Sequence, residues 1–340
     1  MTSASIPKLS IVVPMFNESA SLSAFFGRLI PILEGLNESF EVVCVDDGSR
    51  DDTLEQLVQI NSTDSRVKVV ALSRNFGKER ALTAGLDAAT GCAVIPIDAD
   101  LQDPPELIPQ MLEEWRRGYD VVLAIRSDRS SDSFMKRLTA NGFYRVLGRL
   151  SEVEVPANAG DYRLMDRQVV VALQRLPERT RFMKGLFAWL GFRQTKLYFK
   201  REKRSAGDSK WGSWKLWNLA LEGIFSFSTA PLRIWTYLGF LLSSLSIFYL
   251  IYVVVDTLLH GNEVPGYPSL VAISLFFNGA ILMGLGIVGE YDGRIFVESK
   301  QRPIYLVRER IGFDDSGADS TLREPESPTT KDLNSPSTKA

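Results

Sequence analysis

Between residues 9 and 125 the chain alternates short β-rich runs with stretches of helical periodicity. The runs cover residues 9–14, 40–46, 67–73, 93–98 and 120–125, each rich in branched or aromatic apolar residues and short enough to be a strand. Residues 19–36, 53–61, 78–89 and 105–117 instead place apolar side chains at helical spacing, with Asp51 and Asp52 ahead of the second stretch and Gly91 after the third. This order predicts an α/β domain with a mostly parallel, doubly wound sheet and crossover helices. Ligands of such sheets bind outside the carboxyl ends of the strands. The clusters Asn17-Glu18, Asp46-Asp47-Gly48-Ser49 and Asp98-Ala99-Asp100 each follow a predicted strand at that end.

The last third has a different pattern. Residues 234–255 and 264–289 contain no charged side chain, and each run exceeds the roughly 20 residues that a helix needs to cross a bilayer. Two transmembrane helices are therefore expected. The connector, 256–263, contains His260 but no Lys or Arg, whereas Arg233 precedes the first run and Arg294, Lys300, Arg302, Arg308 and Arg310 follow the second. The positive-inside rule then places both termini and the N-terminal domain on the cytoplasmic side of the inner (plasma) membrane. Ahead of the first run, Trp211, Trp214, Trp217, Leu221, Ile224 and Phe225 recur at helical spacing behind Lys196, Lys200, Arg201, Lys203 and Arg204. That stripe fits a helix lying on the lipid bilayer surface, and equally an amphipathic helix packed on the N-terminal domain. After Gly312 the chain is rich in Asp, Ser, Pro, Thr and Glu, a composition too polar to order itself. The expected division is a cytoplasmic domain at 1–210, a juxtamembrane helix at 211–231, the two spans within 232–290, a cytoplasmic return segment at 291–312 and a disordered tail at 313–340.

Composition narrows the function. A chain of 340 residues with 45% hydrophobic content can bury a substantial core, and a formal charge of −2 with a pI of about 5.7 argues against nucleic acid as a partner. Cys44 and Cys92 are too few for a disulfide framework or a metal site. Residues 1–8 lack the apolar stretch of a signal peptide.

The chemistry should then lie at the strand ends. Asp98 and Asp100 flank Ala99 after an apolar run, and in extended chain both carboxylates would share one side. Two hard oxygen ligands suit Mg²⁺ or Mn²⁺, whose shell would be completed by water and the diphosphate of a nucleotide-sugar donor. Asp46 and Asp47 can accept hydrogen bonds from a base or ribose, with Gly48 permitting a tight turn. Pro14, Asn17 and Glu18 reach the same rim, and Arg74-Asn75-Phe76-Gly77-Lys78 offers two cations for phosphate.

Val-Pro-Met-Phe-Asn-Glu at 13–18, Val-Asp-Asp-Gly-Ser at 45–49, Arg-Asn-Phe-Gly-Lys at 74–78 and Asp-Ala-Asp-Leu-Gln-Asp-Pro-Pro-Glu at 98–106 together resemble family-two glycosyltransferases of the GT-A (Rossmann-like) fold. The branch resembled is that of dolichol-phosphate mannose synthase and the bacterial polyisoprenyl-phosphate (bactoprenol) glucosyltransferases, and the likeness covers about residues 8–312. It implies that Pro14, Asn17, Glu18 and Asp47 line the nucleotide site, which Asp46, Lys78, Asp98, Ala99 and Asp100 are expected to complete, and that Asp98, Asp100 and Gln102 serve the metal and diphosphate. The segment 160–167 resembles the one that brings an acidic residue to the acceptor, which makes Asp161 the candidate to orient or deprotonate it. A phosphate monoester is already largely dianionic near neutral pH, so the demand for a base is light. The acceptor, a polyisoprenyl phosphate, needs cations, and Arg126, Arg129, Arg204 and Lys210 are the candidates, with Arg204 and Lys210 in a loop that matches the family near the acceptor.

The expected reaction is an inverting hexose transfer, with glucose from UDP-glucose favoured over mannose or 4-amino-arabinose. The rival from another class is an inactive membrane scaffold or lipid-moving protein, against which the intact acids argue. A processive polysaccharide synthase would need a Gln-x-x-Arg-Trp motif, and the chain has none. Gly279, Gly284, Gly286 and Gly289 would permit close packing between subunits, which makes a homo-oligomer a hypothesis.

Overall fold

The computed structural model describes residues 8–127, 159–176, 178–179, 181, 183–199, 230–260 and 266–313. Strands β1 (Leu9–Met15), β2 (Phe40–Asp46), β3 (Val67–Leu72), β4 (Ala93–Pro96) and β5 (Val121–Arg126) alternate with α1 (Leu22–Gly35), α2 (Thr53–Thr63), α3 (Lys78–Ala88) and α4 (Ile108–Arg116), the last entered through a 3-10 turn at Pro105–Leu107. Then come β6 (Ala159–Asp166), α5 (Arg167–Gln174), α6 (Met183–Trp189), β7 (Gln194–Phe199), α7 (Ala230–His260), α8 (Tyr267–Ser299) and β8 (Val307–Ile311).

All eight strands form one sheet in the order β7-β5-β6-β4-β1-β2-β3-β8. β1 pairs in parallel with β2 and β4, β2 with β3, and β5 with β7, while β6 runs antiparallel between β4 and β5 and β8 antiparallel along β3. The winding reverses at β1: the chain steps outward through β2 and β3, then returns to place β4 on the other flank. In sheets wound this way the ligand crevice lies where the connections diverge, here above the ends of β1 and β4.

Alternation along the strands divides the core into two layers. On one face Ile11, Val13, Val42 and Cys44 pack with Phe25, Leu29 and Leu33 of α1, Leu57 of α2 and Met111 of α4. On the other, Val12, Val43, Val45 and Val70 pack with Leu82 and Leu86 of α3, Val169 and Val170 of α5 and Leu186 of α6. All seven residues of β2 are buried, as a strand covered on both faces must be. Each such Leu, Ile or Val contributes roughly 1.5–3 kcal/mol, so the strand ends are a stiff platform for polar loops. The opposite end of the sheet is stitched by Glu41, which accepts from Ser10 Oγ at 2.6 Å, Thr90 N at 2.7 Å and Lys68 Nζ at 2.7 Å.

Three expectations change. Helix α1 begins at Leu22 rather than residue 19, because Glu18 and Ser19 give their backbone N–H groups to Thr53 Oγ1 and Asp51 Oδ2 instead of starting a helix. β4 ends at Pro96, so Asp98 and Asp100 lie in a loop beyond it. The uncharged runs do lie in helices, α7 and α8, but among the described residues no helix is long and apolar enough to cross a membrane. This corrects the expectation of two transmembrane helices and removes the basis for a multi-pass placement in the inner membrane. Absence of charge is a weaker property than apolarity: the runs also carry Thr236, Tyr237, Ser243, Ser244, Ser246, Ser274, Asn278 and six glycines. The Trp211 to Phe225 stripe and the tail from residue 314 lie outside the described residues.

Candidate active site

Three loops meet at the rim, and their backbones are tied to one another before any ligand is considered. After β1, Asn17 takes a left-handed φ of +54°, a conformation that Asn tolerates better than most residues. Its N–H donates to Ser49 Oγ at 3.0 Å and its Oδ1 accepts from Arg50 N at 2.8 Å. The Asn17-Glu18 turn is thereby locked onto the loop after β2, where Ser49 N donates to Asp46 Oδ1 at 3.2 Å. Asp47, also buried, accepts from Phe76 N at 2.7 Å and Gly77 N at 2.9 Å, fastening the third loop to the second. Burial pushes the Asp47 carboxyl above the usual range, against the pull of those two N–H donors. Gly48, at φ +66°, lies so close to the backbone of Arg74 and Asn75 that a Cβ there would stand 2.6 Å from the Arg74 carbonyl carbon.

The Asp98 to Asp103 loop forms the other wall. Ala99 is buried, whereas Asp98 and Asp100 remain partly exposed and open to a ligand. Leu101, buried, holds φ +58°, a strained conformation for a leucine and of a kind that concentrates at functional sites. Gln102 N donates to Asp100 Oδ1 at 3.1 Å, and Gln102 Oε1 is a buried acceptor with no hydrogen-bond partner among the described residues. Asp103, also buried, has its carboxyl pushed up to about 6 by desolvation and by Asp98, with Arg126 Nη2 at 4.0 Å drawing it back. Tyr162 of β6 donates to the Pro104 carbonyl at 2.8 Å and so pins this loop to the sheet.

Between the walls stands Lys78, the first residue of α3. Its Nζ is 2.7 Å from Asp98 Oδ2 and 3.0 Å from Asp161 Oδ2. Desolvation works to lower its pKa, but the two carboxylates outweigh it and hold the ammonium firmly protonated. Two residues along β6 from Asp161, Arg163 is buried with its guanidinium 3.9 Å from the Phe187 ring centroid, and burial lowers its pKa to about 10.

The glycosyl transferase family 2 model matches residues 10–173, the stretch that builds this rim. A glycosyltransferase of Synechocystis sp. is 53% identical over 307 residues, 90% of this chain and 96% of that protein. The chain belongs to glycosyl transferase family 2. Other relatives are the bactoprenol glucosyl transferase of Shigella phage SfV, 48% identical over 88% of this chain and 98% of that protein, and the prophage bactoprenol glucosyl transferase homolog of Escherichia coli K12, 47% identical over the same shares. As a family-2 member it is a glycosyltransferase, and the crevice just described lies within the matched region.

Of the residues anticipated from sequence, this transferase brings Pro14, Asn17, Glu18, Asp46, Asp47, Lys78, Asp98, Ala99, Asp100, Gln102, Arg126 and Asp161 to one end of the sheet. Arg129, Arg204 and Lys210 lie outside the described residues. Sequence reasoning gave no role to Asp103, though it sits in the quoted motif, nor to Arg163, whose two-residue spacing from Asp161 on a strand was the available signal. Among the described residues no three His, Cys, Asp or Glu side chains form a group that could hold a metal ion. The donor set present is two carboxylates, Asp98 and Asp100, with the orphaned Gln102 Oε1 nearby. A hard divalent cation bound through one or two carboxylates plus substrate phosphates fits that set.

Proposed function

We propose that this glycosyltransferase moves a glucosyl group from a nucleotide diphosphate donor to a polyprenyl phosphate. What carries the reading is the 48% identity to a bactoprenol glucosyl transferase across nearly the whole of both chains, combined with the gathering of Asp47, Lys78, Asp98 and Asp161 at the carboxyl ends of the parallel strands. In this reading Asn17, Asp46 and Asp47 meet the nucleoside, because they are the acceptor-rich groups on the β1 and β2 side. Asp98, Asp100 and Gln102 hold Mg²⁺ or Mn²⁺, which when bound supplies positive charge to a departing diphosphate. Asp161, on the opposite wall, orients the acceptor, and Arg126 offers a guanidinium to its phosphate.

The reaction needs a new bond from an acceptor phosphate oxygen to the anomeric carbon while the bond from that carbon to the donor diphosphate breaks, its electron pair leaving with the nucleoside diphosphate. Attack from the face opposite the leaving group inverts the anomeric configuration. The preformed loops contribute by holding donor and acceptor at fixed separation, so that binding has already met much of the entropic cost of the encounter.

The test is transfer of labelled sugar from a panel of UDP- and GDP-sugars to undecaprenyl phosphate by the full chain, with Mg²⁺ or Mn²⁺ and then with EDTA. UDP-glucose should give a lipid-linked product that EDTA abolishes. Product from a mannose or aminoarabinose donor alone would reassign the sugar, and binding of a nucleotide with no transfer to any polyprenyl phosphate would remove the acceptor.

A further inference from the structure

Lys78 is not where a simple phosphate contact would leave it. We propose that Lys78 is an internal cation of the active site: a positioning residue whose ammonium bridges Asp98 and Asp161 in the ligand-free enzyme and is displaced onto the donor diphosphate when a divalent cation takes its place on Asp98. The inference rests on the metal-dependent transferase reading above and adds to it an order of events and a competitor for the metal.

The geometry carries it. Nζ is within 3.0 Å of one oxygen on each of two carboxylates that come from different elements, the β4 loop and the neighbouring strand β6. Two anions drawn this close need a positive charge between them. Lys78 supplies it, and so ties the β4 loop to β6 before any ligand arrives. The side chain is 46% exposed, so one flank of its four-carbon stem faces the open side of the site, toward which it can swing. A divalent cation coordinated by Asp98 would sit within a few ångströms of that ammonium and repel it strongly in a partly buried crevice. Electrostatics therefore makes each weaken the other's hold on Asp98. The same movement takes the Lys78 contact off Asp161. An acceptor-orienting carboxylate that is tied to Lys78 without ligand becomes available once cation and donor have bound.

The arrangement predicts that bare metal ion binds weakly, because it must displace Lys78 with nothing to receive the freed ammonium, and that a diphosphate tightens metal binding by receiving it. The test is a titration of the full chain with Mn²⁺ followed by electron paramagnetic resonance, with and without UDP, on wild type, Lys78→Met, Lys78→Gln and Lys78→Arg. No turnover is needed. Without UDP, the two neutral variants should bind Mn²⁺ at least ~10-fold more tightly than wild type, the effect expected on removing one adjacent like charge, while Lys78→Arg stays near wild type. With UDP the advantage should shrink or reverse, since the neutral variants lack the ammonium that meets the diphosphate. Two neutral variants of different polarity guard against one of them failing to fold. If both bind bare Mn²⁺ no more tightly than wild type while wild type still transfers sugar, the Lys78 proposal is overturned and the transferase reading stands. If wild type binds no Mn²⁺ even with UDP, the metal reading fails and takes this one with it.

Discussion

Gly48→Ala tests whether the close approach of two loops organises the nucleotide side of the crevice. Gly48 has φ +66° and Gly191 has φ +68°, so alanine meets nearly the same backbone strain at each position, roughly 1–2 kcal/mol. Their surroundings differ. A Cβ at Gly48 would lie 2.6 Å from the Arg74 carbonyl carbon and 2.7 Å from Asn75 N, whereas at Gly191 its nearest neighbour is the Trp189 carbonyl oxygen at 3.9 Å. Backbone cannot rotate out of the way as a side-chain tip can, so the loop carrying Arg74 must shift, at a further ~1–3 kcal/mol by analogy with overpacked cores. Gly48→Ala should thus lose ~2–5 kcal/mol in all, against ~1–2 kcal/mol for Gly191→Ala. With about 2–4 °C per kcal/mol for domains of comparable size, its melting midpoint should fall several degrees further. The same shift pulls Phe76 N and Gly77 N off Asp47, so donor nucleotide binding, read by calorimetry, should weaken in Gly48→Ala and not in Gly191→Ala. Equal midpoints and equal nucleotide affinity for the two variants would refute the steric argument.

Two further predictions concern buried carboxylates. The folded-state pKa of Asp103 is raised from 3.8 to about 6, so its contribution to stability is fully present below pH 3.8 and is lost as the pH climbs through 6. Asp103→Asn should therefore gain on wild type between pH 4 and 7, by an amount on the order of 3 kcal/mol for a shift of about two units; parallel stability profiles in EDTA would contradict this. Glu41 behaves oppositely: burial acts to raise its pKa, but Lys68, Ser10 and Thr90 together bring it below 4.5. Its contribution is present above pH 4.5 and is lost as the pH falls through the lower folded value. Lys68→Met strands that carboxylate and should cost about 3 kcal/mol at neutral pH, with a smaller loss in acid; denaturant titrations at pH 7 and pH 4 that give the same loss would count against the pair.

The parallel half of the sheet was legible because each of its elements is specified locally. A strand that is buried on both faces must be apolar throughout, as β2 is, and a crossover helix must show a stripe, as α1 does with Phe25, Leu29 and Leu33. Strands β6, β7 and β8 escaped for a shared reason. β6 carries Asp161, Arg163 and Asp166, β7 alternates exposed and half-buried positions, and β8 is Val-Arg-Glu-Arg-Ile. Each is a strand because of the neighbour it pairs with, β4 and β5 for the first, β5 for the second and β3 for the third, and partners distant in sequence leave no mark on local composition. The two long uncharged runs failed in the opposite sense, since one property, the lack of charge, was made to stand for another.

The same distinction governs the site. Residues that sit at strand ends could be placed from sequence because the ends themselves could be, and this covers Asn17, Asp46, Asp47, Asp98 and Asp100. Which of them would touch could not. The sequence puts Lys78 in a cluster with Arg74, and charge alone assigns both to phosphate; yet Arg74 lies over the Phe76 ring while Lys78 crosses to Asp98 and Asp161. That contact exists only because the antiparallel strand β6 slots in beside β4, carrying Asp161 to the side of the crevice opposite β2. Pairing topology, rather than any motif, brings this cation against both Asp98 and Asp161. The three-residue contact is accordingly a product of strand order, and no single motif of the chain specifies it.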